Sequence, residues 1–381
     1  MFTLSAKTWL TTYFINFYFI WGIFLPFWGI WLTGQGVTTE QVGLLFSIGL
    51  VLRFVSNLTI LPQVSSGSAT LRLIRILACI TLLCFATLFY LNDYFWLALF
   101  TILVNFTMAP LMPLGDIVGS RLVQQIGLDY GRVRLWGSLS FIAGSTIVGW
   151  LIVDYGLQAI LILITLICAV LWVLALAQLN PSLEDKSDSN ITPKTSLLSI
   201  LKQPEVIIFL LIVGSIQGSH GAYYAFSTIY WDSLGISGSA IAWLWAISVF
   251  AEVIILRFNT KIFARWTIKQ MLLLGVCGGI IRWWVLSATD NVYLLGLVQT
   301  LHALTFAVTH LAAMRYISQQ DASKLVAYQS LYSGVALGLL MALFTYIAGL
   351  SYDSLQGDLF LLSALLLTPV FILIKMWKVN S

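Results

Sequence analysis

Long apolar stretches, separated by short polar segments, recur along the whole chain. Each stretch has roughly 20 residues, the length at which an α-helix crosses about 30 Å of lipid hydrocarbon. The pattern predicts twelve membrane-spanning helices, at residues 9–32, 41–62, 71–91, 94–124, 132–153, 157–177, 204–231, 238–258, 267–287, 292–317, 325–350 and 358–377.

One sizeable hydrophilic segment interrupts this pattern, between the sixth and the seventh span. Six spans on either side of a single polar linker are typical of transporters that are built from two parallel halves. We therefore expect an all-α membrane protein with an N-terminal six-helix bundle at 1–178, a cytoplasmic linker at 179–203 and a C-terminal six-helix bundle at 204–381.

The composition agrees with a chain that is surrounded by lipid. Hydrophobic residues make up 60% of its 381 residues and charged residues 9%, whereas a soluble domain has about 25% charged residues. The basic residues form no single stripe, so the net charge of +4 does not indicate nucleic-acid binding. The four cysteines lie in apolar stretches and predict neither a disulfide nor a metal site.

The positions of the basic residues predict the orientation of the chain, because cytoplasmic loops are enriched in Lys and Arg. With a cytoplasmic N-terminus, the inner loops and flanks hold all the basic residues except Arg53 and Arg282. The outer loops hold acidic residues such as Glu40, Asp93 and Asp290. The sequence therefore predicts a multi-pass protein of the bacterial inner membrane with both termini in the cytoplasm.

A few ionisable residues lie at membrane depth, away from the ends of the predicted spans. They are Arg53, Asp116, His220, Glu252, Arg282, His302 and His310. A charge at the centre of a bilayer costs about 2.5–3.5 kcal/mol on insertion scales, so such a group faces a partner or a water-filled path. For the set as a whole we favour a substrate or proton pathway; the alternative for each residue is a structural ion pair.

Arg282 and His302 form the most specific pair among these residues. They lie on the ninth and tenth spans, which a short outer turn around Asp290 joins as antiparallel neighbours. Arg282 lies roughly 9 Å and His302 roughly 16 Å below the outer surface, a difference that an Arg side chain largely covers. A histidine near the midplane can change its charge close to physiological pH. The alternative is a neutral histidine that is hydrogen-bonded within the bundle.

Three other spans carry candidate binding or coupling groups. On the seventh span, Gln217, His220, Tyr224 and Ser227 form one polar stripe at helical spacing. On the fourth span, Asp116 follows two prolines and a glycine, which loosen the helix backbone. Glu252 lies in the inner half of the eighth span, and we expect it to find its partner on another helix.

Enzyme motifs are absent from the sequence. It contains no H-E-x-x-H, C-x-x-C or G-x-S-x-G pattern and no phosphate-binding loop. We therefore expect no enzyme activity and no cofactor, and transport energy from an ion gradient instead of ATP.

Five sequence segments resemble one transporter family closely. The chain is similar throughout to the major facilitator superfamily, in the branch that contains lactose permease and, much closer, the 3-phenylpropionic acid transporters. The segments are Gly22–Leu32, Asp129–Ser138, Ala222–Trp231, Ala251–Leu256 and His310–Ile317. The resemblance implies a secondary transporter that works as a monomer on a small molecule and protons.

The resemblance to lactose permease also implies roles for particular residues. Asp116 precedes Arg134 by the interval that separates the permease's sugar-binding acid and arginine, and Arg282 and His302 reproduce the spacing of its coupling pair. Thr305 stands where the permease has its coupling acid, so proton release must use another group, with Glu252 and Asp116 as candidates.

The function we expect is proton-coupled import of an aromatic carboxylate such as 3-phenylpropionate. Arg53 or Arg282 would hold the carboxylate and aromatic residues would pack the ring. The alternatives are a sugar or nucleoside proton symporter and an efflux pump for amphipathic drugs.

Overall fold

A computed structural model describes residues 3–64, 66–183, 197–321 and 324–378. Within these residues, twelve helices are long and apolar enough to cross a membrane. We number them α1 to α12: Ala6–Gly34, Thr39–Gln63, Gly67–Thr87, Tyr94–Ile126, Tyr130–Tyr155, Gln158–Ala175, Pro204–Ser233, Gly238–Ile262, Ile268–Ala288, Val292–Ser318, Leu325–Leu355 and Asp358–Met376. The twelve predicted spans are confirmed, with bounds that differ by a few residues.

Polar side chains fix where several of these helices begin. The hydroxyl group of Ser5 accepts a hydrogen bond from the backbone N–H of Thr8, and Asp129 caps α5 in the same way. At α9, Thr267 and Gln270 form a reciprocal capping box. Each cap satisfies a backbone donor that the first helical turn leaves free, so the polar loops position the apolar spans.

Five of the twelve helices are irregular within their length. α4 consists of Tyr94–Met108 and Leu111–Ile126, α7 of Pro204–Gly218 and His220–Ser233, and α12 of Asp358–Leu367 and Val370–Met376. α10 contains the π-helical segment Ala303–Val308 and α11 the π-helical segment Tyr332–Leu340. Proline at the breaks in α4 and α12 cannot continue the backbone ladder, and π-helical turns are frequent at functional sites.

Two short strands that the hydropathy pattern does not reveal join the ends of the first six helices. β1, Thr3–Ser5, pairs in parallel with β2, Gln178–Asn180. A short helix, Leu197–Leu201, precedes α7. Most of the predicted linker, residues 184–196, lies outside the described residues.

Contacts within the chain define two compact units. The first contains α1, α2 from Leu52 onward, α3 to α6, and Ser237–Ala242 with the start of α8. The second contains Thr38–Val51 with the start of α2, then α7, α8 from Trp243 onward and α9 to α12. The division of the chain at residues 179–203 remains a prediction.

Aromatic side chains of α1 fill the core of the first unit. Trp9, Tyr13 and Trp28 are buried, and each finds a partner for its polar hydrogen. Trp9 donates to the carbonyl of Leu174 at 3.0 Å, and Trp28 donates to the hydroxyl of Thr101 at 3.1 Å. The burial of these three rings therefore leaves none of their own donors unsatisfied.

Small residues allow α1 and α5 to approach closely. A Cβ atom on Gly144 of α5 would lie 2.6 Å from the carbonyl oxygen of Phe19, and one on Gly22 of α1 would meet the carbonyl oxygen of Phe141. Membrane helices pack in this way because small residues let backbones come into contact. The two glycines therefore fix the geometry of this helix pair.

Candidate functional site

The side chains of Arg282, His302 and Glu252 form a continuous buried chain of polar contacts in the second unit. Nη1 of Arg282 lies 2.8 Å from Nδ1 of His302, and Nε2 of the same imidazole lies 2.8 Å from Oε1 of Glu252. Arg282 is fully buried and His302 is 4% exposed, whereas the Glu252 side chain is 17% exposed. The network is thus buried at the guanidinium of Arg282 and more accessible to solvent at the carboxylate of Glu252.

The donors and acceptors define the protonation state of His302. A guanidinium can only donate, so Nδ1 of His302 must accept the bond from Arg282. The hydrogen on Nε2 then points to Glu252, which accepts it as a carboxylate. The imidazole is therefore neutral in this arrangement, and the single charges of Arg282 and Glu252 balance.

Further side chains contact the guanidinium group of Arg282. Its Nη2 donates to Oε1 of Gln299 at 2.6 Å, and that oxygen also accepts from the hydroxyl of Ser248 at 2.9 Å. The guanidinium carbon lies 4.4 Å from the ring centre of Tyr223 and 4.5 Å from that of Trp283. Two aromatic faces and charge-assisted hydrogen bonds offset the cost of burying this cation.

His220 extends the network from α7. Its Nδ1 lies 3.1 Å from the carbonyl oxygens of both Ile216 and Gln217, and its Nε2 lies 2.9 Å from the hydroxyl of Thr305. Because carbonyls only accept, Nδ1 carries a hydrogen. The same Thr305 hydroxyl lies 3.5 Å from Nη1 of Arg282, so one hydroxyl links the two histidine-bearing helices to α9.

Breaks in the backbone of α7 and α10 set the positions of the histidine side chains. α7 is interrupted at Ser219, directly before His220, and the Ser219 hydroxyl accepts the indole N–H of Trp283 at 3.0 Å. α10 is interrupted directly before His302, and the π-helical segment that follows contains Thr305. Both breaks therefore coincide with the polar network.

Aromatic rings lie against both histidines of the network. The Tyr224 ring lies 5.5 Å from the His220 ring and 6.0 Å from the Trp245 ring, in stacked orientations. The Phe306 ring is stacked 5.5 Å from the His302 ring. Flat side chains at these spacings form surfaces on which another ring can stack.

The three sequence-predicted residues of the first unit make contacts of their own within that unit. Nε of Arg53 donates to Oδ1 of Asn105 at 2.8 Å, and its guanidinium lies 4.5 Å from the Trp21 ring. Asp116 accepts a hydrogen bond from the hydroxyl of Tyr130 at 2.6 Å. Arg134 lies over the ring of Tyr18 at 4.3 Å.

The structure thus brings four of the predicted residues together and adds residues that the sequence did not single out. His220, Glu252, Arg282 and His302 share one network, and Tyr224 borders it. Gln299, Ser248 and Trp283 are the additions. One feature of the sequence could have indicated Gln299 as a site residue: its amide lies within an apolar stretch, one helical turn before His302.

Comparisons with known proteins identify the kind of protein. The family described as "MFS_1 like family" matches residues 8–362. The chain is 40% identical to the "Probable 3-phenylpropionic acid transporter" of Escherichia coli strain K12, over 97% of each chain. It is 23% identical to the maltose permease of Geobacillus stearothermophilus, over 65% of this chain and 62% of the permease.

A solved structure shows the same fold at low sequence identity. The crystal structure of the nucleoside transporter NupG superposes with a TM-score of 0.80 at 16% identity, covering 99% of this chain and all of NupG. These relatives are transporters and not enzymes, in agreement with the motif search. The chain is therefore a multi-pass membrane transporter that belongs to the major facilitator superfamily, within the MFS_1 like family.

Proposed function

We propose that the protein imports an aromatic carboxylate of the 3-phenylpropionate type together with a proton. The name of the 40% identical relative supports the substrate class. The protein would act as a monomer in the bacterial inner membrane, with both termini in the cytoplasm and without a cofactor. The observation that carries the proton coupling is the contact of His302 with both Arg282 and Glu252.

Glu252 is the proton-binding group of this network in the present arrangement. His302 cannot accept a second proton on Nδ1 while that atom accepts the bond from Arg282. The Glu252 carboxylate can be protonated, and it is the most exposed of the three side chains. Protonation removes its negative charge, so the balance with buried Arg282 is lost and another arrangement becomes favourable.

Arg53 is the better candidate for the substrate carboxylate. Nη1 and Nη2 of Arg282 already have partners in His302, Thr305 and Gln299. By contrast, the side-chain hydrogen bond of Arg53 uses Nε, and in the part of the chain that the structure describes no carboxylate lies within ion-pair distance of Arg53. A planar guanidinium whose two terminal NH2 groups are free matches a carboxylate geometrically.

Binding at these two groups predicts the charge balance of transport. A carboxylate at Arg53 adds one negative charge, and protonation of Glu252 adds one positive charge, so the loaded and empty carrier have the same net charge. One proton would therefore accompany each anion, and the cycle would be electroneutral.

Purified protein in liposomes tests this proposal. We expect labelled 3-phenylpropionate to accumulate under an inward proton gradient, to stop accumulating with a protonophore, and to respond little to a potassium diffusion potential. Protein-free liposomes correct for diffusion of the undissociated acid. No carrier-dependent uptake, or uptake indifferent to the protonophore, would contradict the proposal.

A substrate panel separates the alternatives in the same liposomes. Uptake of a nucleoside or a disaccharide in place of the acid would favour a neutral-substrate symporter, and Asp116→Asn would then abolish uptake. Export of amphipathic drugs, with resistance in cells, would favour an efflux pump.

A further inference from the structure

A groove with a volume of about 470 Å³ lies where the loop between α8 and α9 meets the first turns of α9. Two of its lining residues belong to the loop, and the others recur on α9 at a spacing of three or four residues, which places them on one face of that helix. The lining residues are Arg265, Trp266, Gln270, Leu273, Leu274 and Cys277.

The groove belongs to the exposed face of α9, and the polar network to the buried one. The face that carries Cys277 continues with Ile281 and Trp284, whose side chains are 54% and 59% exposed, whereas Arg282 is fully buried. A row of exposed apolar side chains on a membrane-spanning helix marks a surface that contacts lipid. The groove is therefore open to lipid and separate from the network of Arg282, His302 and Glu252.

The depth of the groove matches one leaflet of a bilayer. Cys277 lies about 14 Å along the axis from the start of α9 at Ile268, and a leaflet supplies about half of the roughly 30 Å of hydrocarbon. The opposite end of the groove lies in the loop, where the sequence predicts the cytoplasmic side of the membrane. The groove thus runs from the surface of a leaflet to the neighbourhood of the midplane.

Arg315 of α10 holds the loop end of the groove in place. Its Nη1 donates to the backbone carbonyl of Trp266 at 2.6 Å, and its Nη2 donates to that of Phe263 at 3.2 Å. Phe263 is buried, and its ring packs edge to face against that of Trp266 with the ring centres 5.4 Å apart. The indole is therefore anchored at the depth where tryptophan is enriched in membrane proteins, between lipid headgroups and chains.

Arg265 supplies an unpaired positive charge at this end. Its side chain is exposed, and among the residues that the structure describes none forms an ion pair or hydrogen bond with its guanidinium group. Gln270 accepts the backbone N–H of Thr267 on Oε1 at 2.8 Å, which leaves its amide nitrogen as a donor. The segment from Arg257 to Lys269 contains four basic residues and no acidic one, so its potential attracts anions.

We propose that this groove binds an anionic phospholipid from the leaflet at the basic end of the helices. The phosphate accepts hydrogen bonds from the guanidinium of Arg265, the group that matches phosphate oxygens best, and from the amide of Gln270. One acyl chain lies along Leu273, Leu274 and Cys277. The positive charge of the segment favours a headgroup with a net negative charge over a zwitterionic one. None of these residues belongs to the proposed substrate or proton sites, so the lipid site stands apart from the transport proposal.

Lipid binding to the purified protein in detergent tests the site. Native mass spectrometry counts bound dioleoyl phosphatidylglycerol and gives its Kd, and thermal unfolding measures the stabilisation that a ligand of the folded state confers. We expect phosphatidylglycerol to bind and to raise the unfolding temperature, and dioleoyl phosphatidylcholine and inorganic phosphate to have little effect. Arg265→Gln should raise the Kd for phosphatidylglycerol at least about tenfold.

Arg257 supplies the matched control for charge. It is exposed and lies in the same basic segment but does not line the groove, so Arg257→Gln should bind phosphatidylglycerol nearly as wild type does. Equal losses in the two variants would show a general attraction between charges and overturn the site. Equal binding of phosphatidylglycerol and phosphatidylcholine by the wild-type protein would overturn it as well.

A change of shape without a change of charge tests the acyl-chain part of the groove. Cys277→Phe places a ring in the groove and should weaken phosphatidylglycerol binding, whereas Ile281→Phe, one turn further along the same face, should not. Unchanged binding by Cys277→Phe, or stabilisation by inorganic phosphate equal to that by phosphatidylglycerol, would mean that the segment binds an anion alone and would overturn the phospholipid groove.

Discussion

His302 donates from Nε2 to the carboxylate of Glu252 across 2.8 Å, and this contact connects α10 with α8. From the sequence, Glu252 is expected to find its partner on another helix. His302 is paired with Arg282 because a short loop makes their two helices neighbours. The structure shows that one imidazole serves both groups. A neutral ring that accepts on one side and donates on the other can hold a buried cation and a buried anion apart.

Glu252→Gln is expected to abolish uphill accumulation. The amide keeps the size of the side chain but cannot bind or release a proton, so net proton-driven uptake should fall by about 100-fold. Accumulation of labelled substrate in liposomes with and without a proton gradient measures the effect. Glu40→Gln, at an exposed position near the start of α2, is the matched control, and accumulation by Glu252→Gln at the wild-type level would contradict the assignment.

Arg282→Met is expected to destabilise the protein strongly. It removes one partner of a buried charge pair and leaves Glu252 without its balance, a loss of about 3–5 kcal/mol. The double variant Arg282→Met/Glu252→Gln should be less destabilised than the sum of the two single changes, because the charges interact through His302. Tryptophan fluorescence during unfolding in detergent measures all three free-energy changes.

An exposed ion pair serves as the control for this comparison of single and double variants. Arg132 and Asp129 lie 3.0 Å apart, with side chains 87% and 60% exposed, so their charge coupling should be too small to measure. Strict additivity at Arg282 and Glu252 would mean that the network does not couple them.

Arg53→Gln is expected to weaken binding of the acid selectively. Charge-assisted hydrogen bonds contribute about 1.5–3 kcal/mol each, so the KM for 3-phenylpropionate should rise about 10- to 100-fold. Inhibition by the neutral 3-phenylpropanamide should change much less. Arg132→Gln, in an exposed pair, serves as control; equal losses for the acid and the amide would exclude Arg53 as the carboxylate-binding residue.

Gly144→Val is expected to disrupt the contact between α1 and α5. The first added carbon would lie 2.6 Å from the carbonyl oxygen of Phe19, and overpacking of this kind costs about 1–3 kcal/mol. Thermal unfolding in detergent measures the loss. In Gly131→Ala the new carbon meets only Asp129, at 3.6 Å, so wild-type stability is expected there; equal stability of both variants would contradict the packing argument.

The fold could be predicted from the sequence because lipid imposes a simple rule on each span. About 20 apolar residues must be helical, and basic residues remain at one side. The interruptions were harder to predict. Pro110 indicates the break in α4, but nothing local to Ser219 distinguishes it from the serines that helices accommodate elsewhere. The break there depends on tertiary contacts, such as the bond that Trp283 donates to Ser219.

The candidate site was partly predictable for a related reason. Arg282 and His302 could be paired because a short turn fixes their helices as neighbours. Gln299 and Thr305 are polar but uncharged, so the cost of burying them is small and their positions carry a weaker signal. Arg282 bonds to both Gln299 and Thr305 because the turns around His302 are tightened on one side and π-helical on the other. The periodicity of the sequence does not reveal such irregular turns.

The pairing of β1 with β2 has a consequence for how the protein is made. Residues that precede the first membrane helix hydrogen-bond to residues that follow the sixth, from Thr3 opposite Gln178 to Ser5 opposite Asn180. A ribosome that has just synthesised Ser5 cannot complete this pair until nearly half the chain has emerged. The strand contact can therefore form only late in synthesis, after the first six helices have entered the bilayer, and it then closes that half of the chain into a loop.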